Sequence, residues 1–445
     1  MARYWTYTRC EDPGPFVGKL ILELPDPVRA EDVRPEQFSV YVERRDRATG
    51  DVVTAKAHHG DPDETARPSR GYVRVLDACA CDPSGRAVLG EGRFVCLTLP
   101  EERLTKRIDG DVLHGHLRAS DFTVTQVAAI PAVESGGAPQ VGLVWDDCAG
   151  DVCPALAGWD LGLAGTFDGI EMGYGLFTPD FDAVNERRAN PGFGNLYVEP
   201  LPPLEKVPLL LWLHGAGEGG GEVYRTVTGN LVTALSGRNI QDKLGGAAYV
   251  LAPSCPTFWM DSGDGGIDDD NQSIYSAALK ELVDVVVDAH PAIDPARIYV
   301  GGLSNGGFMT VRLMADYPGF WAAAVPVCAP WRGTDATDEE FAAIARTPQW
   351  WVQVDDDTLV KVDDHIKTTW PRLMAEDPDD AHLTYYDHFE DETGRYHDVE
   401  GRPTRYNGHF IWVNVYHDTV RTELDGTNVL WDGFPVTLWQ WVGRH

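Results

Sequence analysis

The sequence predicts a doubly wound, mostly parallel α/β sheet preceded by an all-β domain of the immunoglobulin-like sandwich type. Three observations carry this expectation. From residue 207 onward, apolar strand-like runs alternate with helical periods, the pattern of a parallel sheet covered by helices on both faces. Before residue 160 or so, short β-rich runs are separated by Pro, Gly and Asp turns, with no long helical period between them. Between the two, at Gly136 to Gly165, the composition changes, so the chain is divided into residues 1–160 and 161–445.

In the first part the strands are expected at Lys19–Leu24, Phe38–Val42, Gly71–Leu76, Arg93–Thr98 and Phe122–Val127. Within the second part, Asn185–Lys206, rich in Pro, Asn and Gly, precedes the first strongly apolar strand and reads as a surface excursion near the site. Val207–Leu213 is a continuous apolar run, as expected of a strand buried on both faces, and it ends in the glycine-rich stretch His214-Gly-Ala-Gly-Glu-Gly-Gly-Gly221. Ala247–Ala252 follows as a strand. Ser273–His290 has the apolar spacing of a helix, and Trp321–Val327, Pro348–Val354 and Leu383–Phe389 continue the strand series.

The sharpest local signal lies in Arg297-Ile-Tyr-Val-Gly-Gly-Leu-Ser-Asn-Gly-Gly-Phe308, where a β-type run meets Gly-x-Ser-x-Gly centred on Ser304 and then an amphipathic helix. This reads as a nucleophile elbow. A strained strand-to-helix turn leaves no room for side chains two residues either side of the serine, and Gly302 and Gly306 supply that room. A nucleophilic serine needs a base, and the base an orienting carboxylate, in chain order Ser, acid, His. The run Asp355-Asp356-Asp357 stands at a strand's carboxyl end and offers three acids. The histidines late enough are His365, His382, His388, His397, His409, His417 and His445; His409, behind the turn Asn407-Gly408, is the best placed. An oxyanion is expected on backbone N–H groups of Asn305 and of Ala216 or Gly217. His214, Glu218, Trp259, Trp331 and Trp412 are the candidate pocket residues.

Taken together, residues 165–445 resemble bacterial α/β-hydrolase esterases of the predicted-peptidase type, related to polyhydroxybutyrate-depolymerase-like and feruloyl-esterase-like enzymes, some with an N-terminal immunoglobulin-like domain. The matching pieces are His214-Gly-Ala-Gly-Glu-Gly, Ala252-Pro-Ser-Cys-Pro256 followed by Trp259, Asp294 to Gly307, Asp357-x-x-Val360, and His409-x-x-Trp412 followed by Tyr416 and Asp418. The resemblance implies Asp357 as the acid, with Asp356 in reserve, and His409 as the base. Two departures stand out: Gln353-Val354 at the end of the acid strand, and a long segment from Asp391 to Asn407 before the histidine. The second bears on substrate choice. The implied activity is hydrolysis of carboxylic esters through an acyl-enzyme, with a serine peptidase or aminoacyl hydrolase, and a hydrolase-fold binding protein without turnover, as alternatives.

Composition narrows the partners. A net charge of −32 repels nucleic acid phosphates and anionic membrane surfaces. A small-molecule or oligomeric ester is the expected substrate, and a homo-oligomer is left open. There is no apolar run near 18 residues and no charged-then-apolar start, so the chain is expected to be cytoplasmic, or secreted if a leader has been removed. The eight cysteines lack structural zinc spacing and read chiefly as thiols, one or two disulfides in the N-terminal half being the alternative. Triad chemistry requires neither a metal nor an organic cofactor. Asp261–Asp270 is read as a solvated loop whose end caps the following helix, its spacing unlike that of a helix-flanked calcium loop.

Overall fold

A computed structural model describes residues 2–47, 49–55, 67–107, 115–134, 137–191, 199–391, 394 and 397–445. The chain divides into two compact units, Met1–Ala157 and Gly158–His445. Parts of Gly136–Gly165, Asn185–Lys206 and Asp391–Asn407 (residues 136, 192–198, 392–393 and 395–396) lie outside the described residues.

The first unit is all-β. Its hydrogen-bonded strands run in the order Arg70–Val73, Phe38–Asp46, Gly115–Gln126, Val144–Val152, Ala2–Glu11, Gly14–Arg29, Glu91–Arg103, Asp77–Cys81. Neighbours are antiparallel except Ala2–Glu11 and Val144–Val152, which run parallel. Alternation explains the core: along Phe38–Asp46, Phe38, Val40 and Val42 face inward. They meet Tyr4, Leu20, Leu22, Leu97, Phe122, Val124 and Trp145, whose indole N–H donates to the Glu23 carbonyl at 2.8 Å.

The strand Ala2–Glu11 was not expected, and the reason is legible. Tyr4 and Thr8 are buried on one face while Trp5 and Tyr7 pack on the other against a small cluster with Ile21 and Cys96. Aromatic residues on both faces erase the period-two contrast that marks a strand.

The second unit is built on an eight-stranded sheet in the order Trp159–Phe167, Ile170–Phe177, Tyr249–Ser254, Val207–Leu213, Ile293–Leu303, Ala323–Val327, Gln349–Val354, Ala381–Tyr386. The first three strands pair antiparallel and the rest parallel. The opening hairpin Trp159–Phe177 is an addition to the strands expected from sequence. From Val207–Leu213 the chain first goes to one side, to Tyr249–Ser254, and then to the other, to Ile293–Leu303. Those reversed directions open a crevice at the strands' carboxyl ends, where an α/β sheet places its ligand. All seven residues of Val207–Leu213 are buried, and Leu213 is in register with Gly302, so the ends of the two strands lie side by side. Helix Ser276–Ala289 covers one face of the sheet region, and helix Asn305–Asp316, buried from Asn305 to Met314, leaves directly from the serine.

Candidate active site

Ser304 links the strand Ile293–Leu303 to the helix Asn305–Asp316 with φ 54° and ψ −120°, a conformation L-residues rarely adopt. Its N–H donates to the Val327 carbonyl at 2.9 Å, and its carbonyl accepts from the Phe308 N–H at 3.0 Å. The turn closes only because its flanks are glycines. A Cβ on Gly302 would stand 2.6 Å from the carbonyl oxygens of Gly306 and Leu213, and on Gly307 it would stand 2.5 Å from that of Val327.

Above the turn, Ser304 Oγ lies 3.0 Å from His409 Nε2, and His409 Nδ1 lies 2.8 Å from Asp357 Oδ2. With Nδ1–H donated to the carboxylate, Nε2 carries the lone pair that faces the serine hydroxyl. The other Asp357 oxygen accepts the N–H groups of Leu359 and Val360, both at 2.8 Å, so the carboxylate is fully bonded within a buried position. Of the other two acids, Asp356 is bound by Arg405 at 2.8 Å, and Asp355 accepts from the Tyr385 hydroxyl at 2.5 Å and faces Lys367 at 3.3 Å. The Tyr385 hydrogen bond, with Lys367 next, holds the Asp355 carboxyl below its usual range.

His409 sits in a single 3-10 turn, Gly408–Phe410, capped by Asn407, whose side-chain oxygen accepts the His409 N–H at 3.0 Å and the Thr358 N–H at 3.3 Å. Gly408 is wedged against the acid loop: a Cβ there would meet Asp356 Oδ1 at 2.4 Å and the Asp357 N at 2.9 Å. Under the same turn, the Cys328 thiol donates to the His409 carbonyl at 3.6 Å.

On the other side of the serine, Ala216, Gly217 and Glu218 form a short 3-10 turn after Gly215 and are partly exposed. Buried groups hold this loop. His214 Nε2 accepts the Cys255 N–H at 2.9 Å, Trp259 Nε1–H donates to the His214 carbonyl at 3.1 Å, and the Asn305 side chain accepts the Trp259 N–H at 2.6 Å. His214 and Trp259 are 2% and 0% exposed, so they brace the glycine loop from beneath and present no surface to a ligand. Trp331, also fully buried, packs on Phe308 at 5.8 Å with the Arg312 guanidinium over it. Trp412 stands edge-on to His409 at 5.4 Å and is buried. Of the five candidate pocket residues, Glu218 alone keeps partial exposure; its Oε2 would be 3.1 Å from a Cβ on Gly215.

Two residues that sequence reasoning missed stand at the rim. Phe410, next to His409, is 43% exposed, and Leu359, whose N–H binds Asp357, is 64% exposed. Their signal was their adjacency to the base and the acid.

In the acidic loop, the Asp261, Asp264 and Asp268 oxygens lie within 4.8 Å of one another. Asp261 is buried and accepts from Gly263, Gly265 and Thr257, while Asp268 accepts from Ser262. These bonds organise the loop from within.

Sheet order, elbow and hydrogen-bonded chain define the second unit as an α/β-hydrolase fold bearing the Ser-His-Asp constellation of serine hydrolases. Comparison with known proteins agrees at the level of the fold. The pattern describing the prolyl oligopeptidase family matches residues 272–362, which include Ser304 and Asp357. Poly(3-hydroxyalkanoate) depolymerase C from Paucimonas lemoignei is 35% identical over 79 residues, 17% of this chain and 19% of that protein. Among solved structures, a thermostable esterase superposes with a TM-score of 0.67 at 22% identity, covering 93% of this chain and 96% of its own. No helix among the described residues is long and apolar enough to cross a membrane.

Proposed function

We propose that the chain hydrolyses carboxylic esters through an acyl-enzyme on Ser304. The observation that carries this reading is the continuous path from Ser304 Oγ to His409 Nε2 and from His409 Nδ1 to Asp357 Oδ2. As the hydroxyl attacks the ester carbonyl, His409 takes its proton, and Asp357 stabilises the imidazolium and fixes its tautomer. The tetrahedral oxyanion is received by the N–H of Asn305, at the start of the buried helix, and by that of Ala216 or Gly217. His409 then protonates the leaving alcohol and activates the water that releases the acid.

The exposed Phe410 and Leu359 beside the dyad favour an apolar or aromatic group on the ester, hydroxycinnamoyl esters included. The substrate is a small molecule or an oligomer carrying such esters. The first unit is proposed as an immunoglobulin-like accessory domain. A peptidase reading draws on the prolyl oligopeptidase match, but enzymes of that fold that cleave peptides usually gate the site with a β-propeller, and eight of the described strands of the first unit follow one sheet path. A panel of p-nitrophenyl acyl esters, methyl hydroxycinnamates and aminoacyl anilides separates the two. Turnover of anilides but not esters would overturn the proposal, and so would equal turnover by Ser304→Ala.

A further inference from the structure

Cys10 and Cys153 are 143 residues apart in sequence, yet their sulfurs lie 3.9 Å from each other. Cys10 is near the end of the strand Ala2–Glu11, and Cys153 follows the strand Val144–Val152. The parallel ladder between these strands ends at the pair Tyr7 and Val152, so both cysteines stand just beyond its last rung. The two strands are also tied through Asp151, which accepts the hydroxyls of Thr6 at 2.6 Å and Thr8 at 2.7 Å. Cys10 stays paired with Pro15 on its other side while Cys153 lies beyond the end of its strand, and side-chain rotation is what closes the gap to a bonding distance of roughly 2 Å.

The surroundings of the two sulfurs differ from those of the other thiols. The hydrogen bond from Cys10 lowers Cys153 from the usual thiol range, against the opposing effects of burial and of Asp151, and the N–H groups of Leu156 and Ala155 add to the lowering. Cys153 is the N-cap residue of the 3-10 turn Pro154–Leu156, and its carbonyl accepts the Leu156 N–H at 3.0 Å. By contrast, Cys79 and Cys96 oppose each other on neighbouring strands, but burial raises both, Cys96 to about 11. Burial likewise raises Cys81, Cys255 and Cys328. Cys10 and Cys153 both retain solvent access.

We propose that Cys10 and Cys153 are a redox dithiol that closes to an intramolecular disulfide by exchange with a low-molecular-weight disulfide. The Cys153 thiolate attacks one sulfur of the small disulfide, forming a mixed disulfide and expelling one small thiolate. Cys10, losing its proton to solvent, then attacks Cys153 Sγ and expels the second. Two protein thiols are oxidised, and one small disulfide is reduced to two thiols. The bond joins the chain's first strand to the last segment before the junction at Ala157, closing a long loop that most restricts the unfolded chain.

The test uses the full chain incubated with oxidised glutathione. Free thiols should fall from eight to six, with non-reducing peptide mapping joining the Cys10 and Cys153 peptides, and the melting temperature should rise by about 5 °C. Cys10→Ser should accumulate a glutathione adduct at Cys153, because the resolving thiol is gone, whereas Cys79→Ser should still close the bond. Retention of eight thiols overturns the proposal, as does a bond mapped to Cys79 and Cys96, or an adduct on the unaltered protein that never resolves.

Discussion

A Cβ placed on Gly306 would stand 2.0 Å from the carbonyl oxygen of Leu213. The first turn of the elbow helix is therefore pressed directly on the end of the strand that feeds the glycine loop, and the approach sets where Ser304 stands relative to that loop. Gly306→Ala is expected to lose more than about 3 kcal/mol of stability or to fail to fold, since backbone occupies the new methyl's place. Gly90→Ala, where a Cβ would meet nothing within 4 Å, is the control. Urea melts of the two variants check this; equal midpoints would show that the contact is not rigid.

The positive φ of Ser304 carries a cost of roughly 1–3 kcal/mol that a glycine does not bear. Ser304→Ala should keep the strain and lose turnover by about 10⁴-fold or more. Ser304→Gly should be as inactive but more stable by about 1 kcal/mol. Calorimetry of both, with fluorophosphonate labelling, separates the roles; a destabilised glycine variant would refute the strain.

Base and acid can be ranked. His409→Ala should lower kcat by about 10³-fold or more, and Asp357→Asn by a comparable factor, because the carboxamide favours the wrong tautomer. Asp355→Asn and Asp356→Asn should cost less than about tenfold, their side chains being committed to Tyr385 and Arg405. Steady-state kinetics decide the order, and a larger loss at Asp356 than at Asp357 would contradict it.

His382 lies between Asp380 Oδ1 and Glu423 Oε1, each at 2.7 Å. Burial alone lowers its basicity, but the two carboxylates outweigh burial and raise the group from 6.5 to about 9. A folded-state value above the unfolded one stabilises fully below pH 6.5, and this contribution is lost as the pH rises through 9. Unfolding free energy should therefore fall by about 2 kcal/mol between pH 6.5 and 9.5, and His382→Gln should flatten that slope. Urea titrations across the range measure it; an unchanged slope in the variant would assign the dependence elsewhere.

The elbow was legible in the sequence because the pattern that marks it is contiguous, glycines two residues either side of a serine between a strand and a helix, even though the backbone they make room for includes the distant Leu213 carbonyl. The choice among Asp355, Asp356 and Asp357 was not legible from residue type, since three neighbours at a strand's end differ only in direction. Resemblance to a family singled out Asp357, and the bonding geometry now distinguishes it by the pair of backbone donors on its second oxygen. The tryptophans illustrate the reverse. Trp259 and Trp331 bear on the site by supporting the loop and the helix under it, and nothing in their sequence context separates a buried brace from a pocket wall. The first strand was hidden for a similar reason, its two faces both being covered by aromatic packing.

Gly408 rests on both Asp356 and the backbone of Asp357, so the turn that carries His409 is seated on the loop that carries Asp357, while Ser304 belongs to the elbow. The site has a single joint. Displacement of the elbow against that seat would alter the separation between Ser304 Oγ and His409 Nε2. A ligand that bridges the joint would therefore act as a splint, guarding the hydroxyl and the imidazole together.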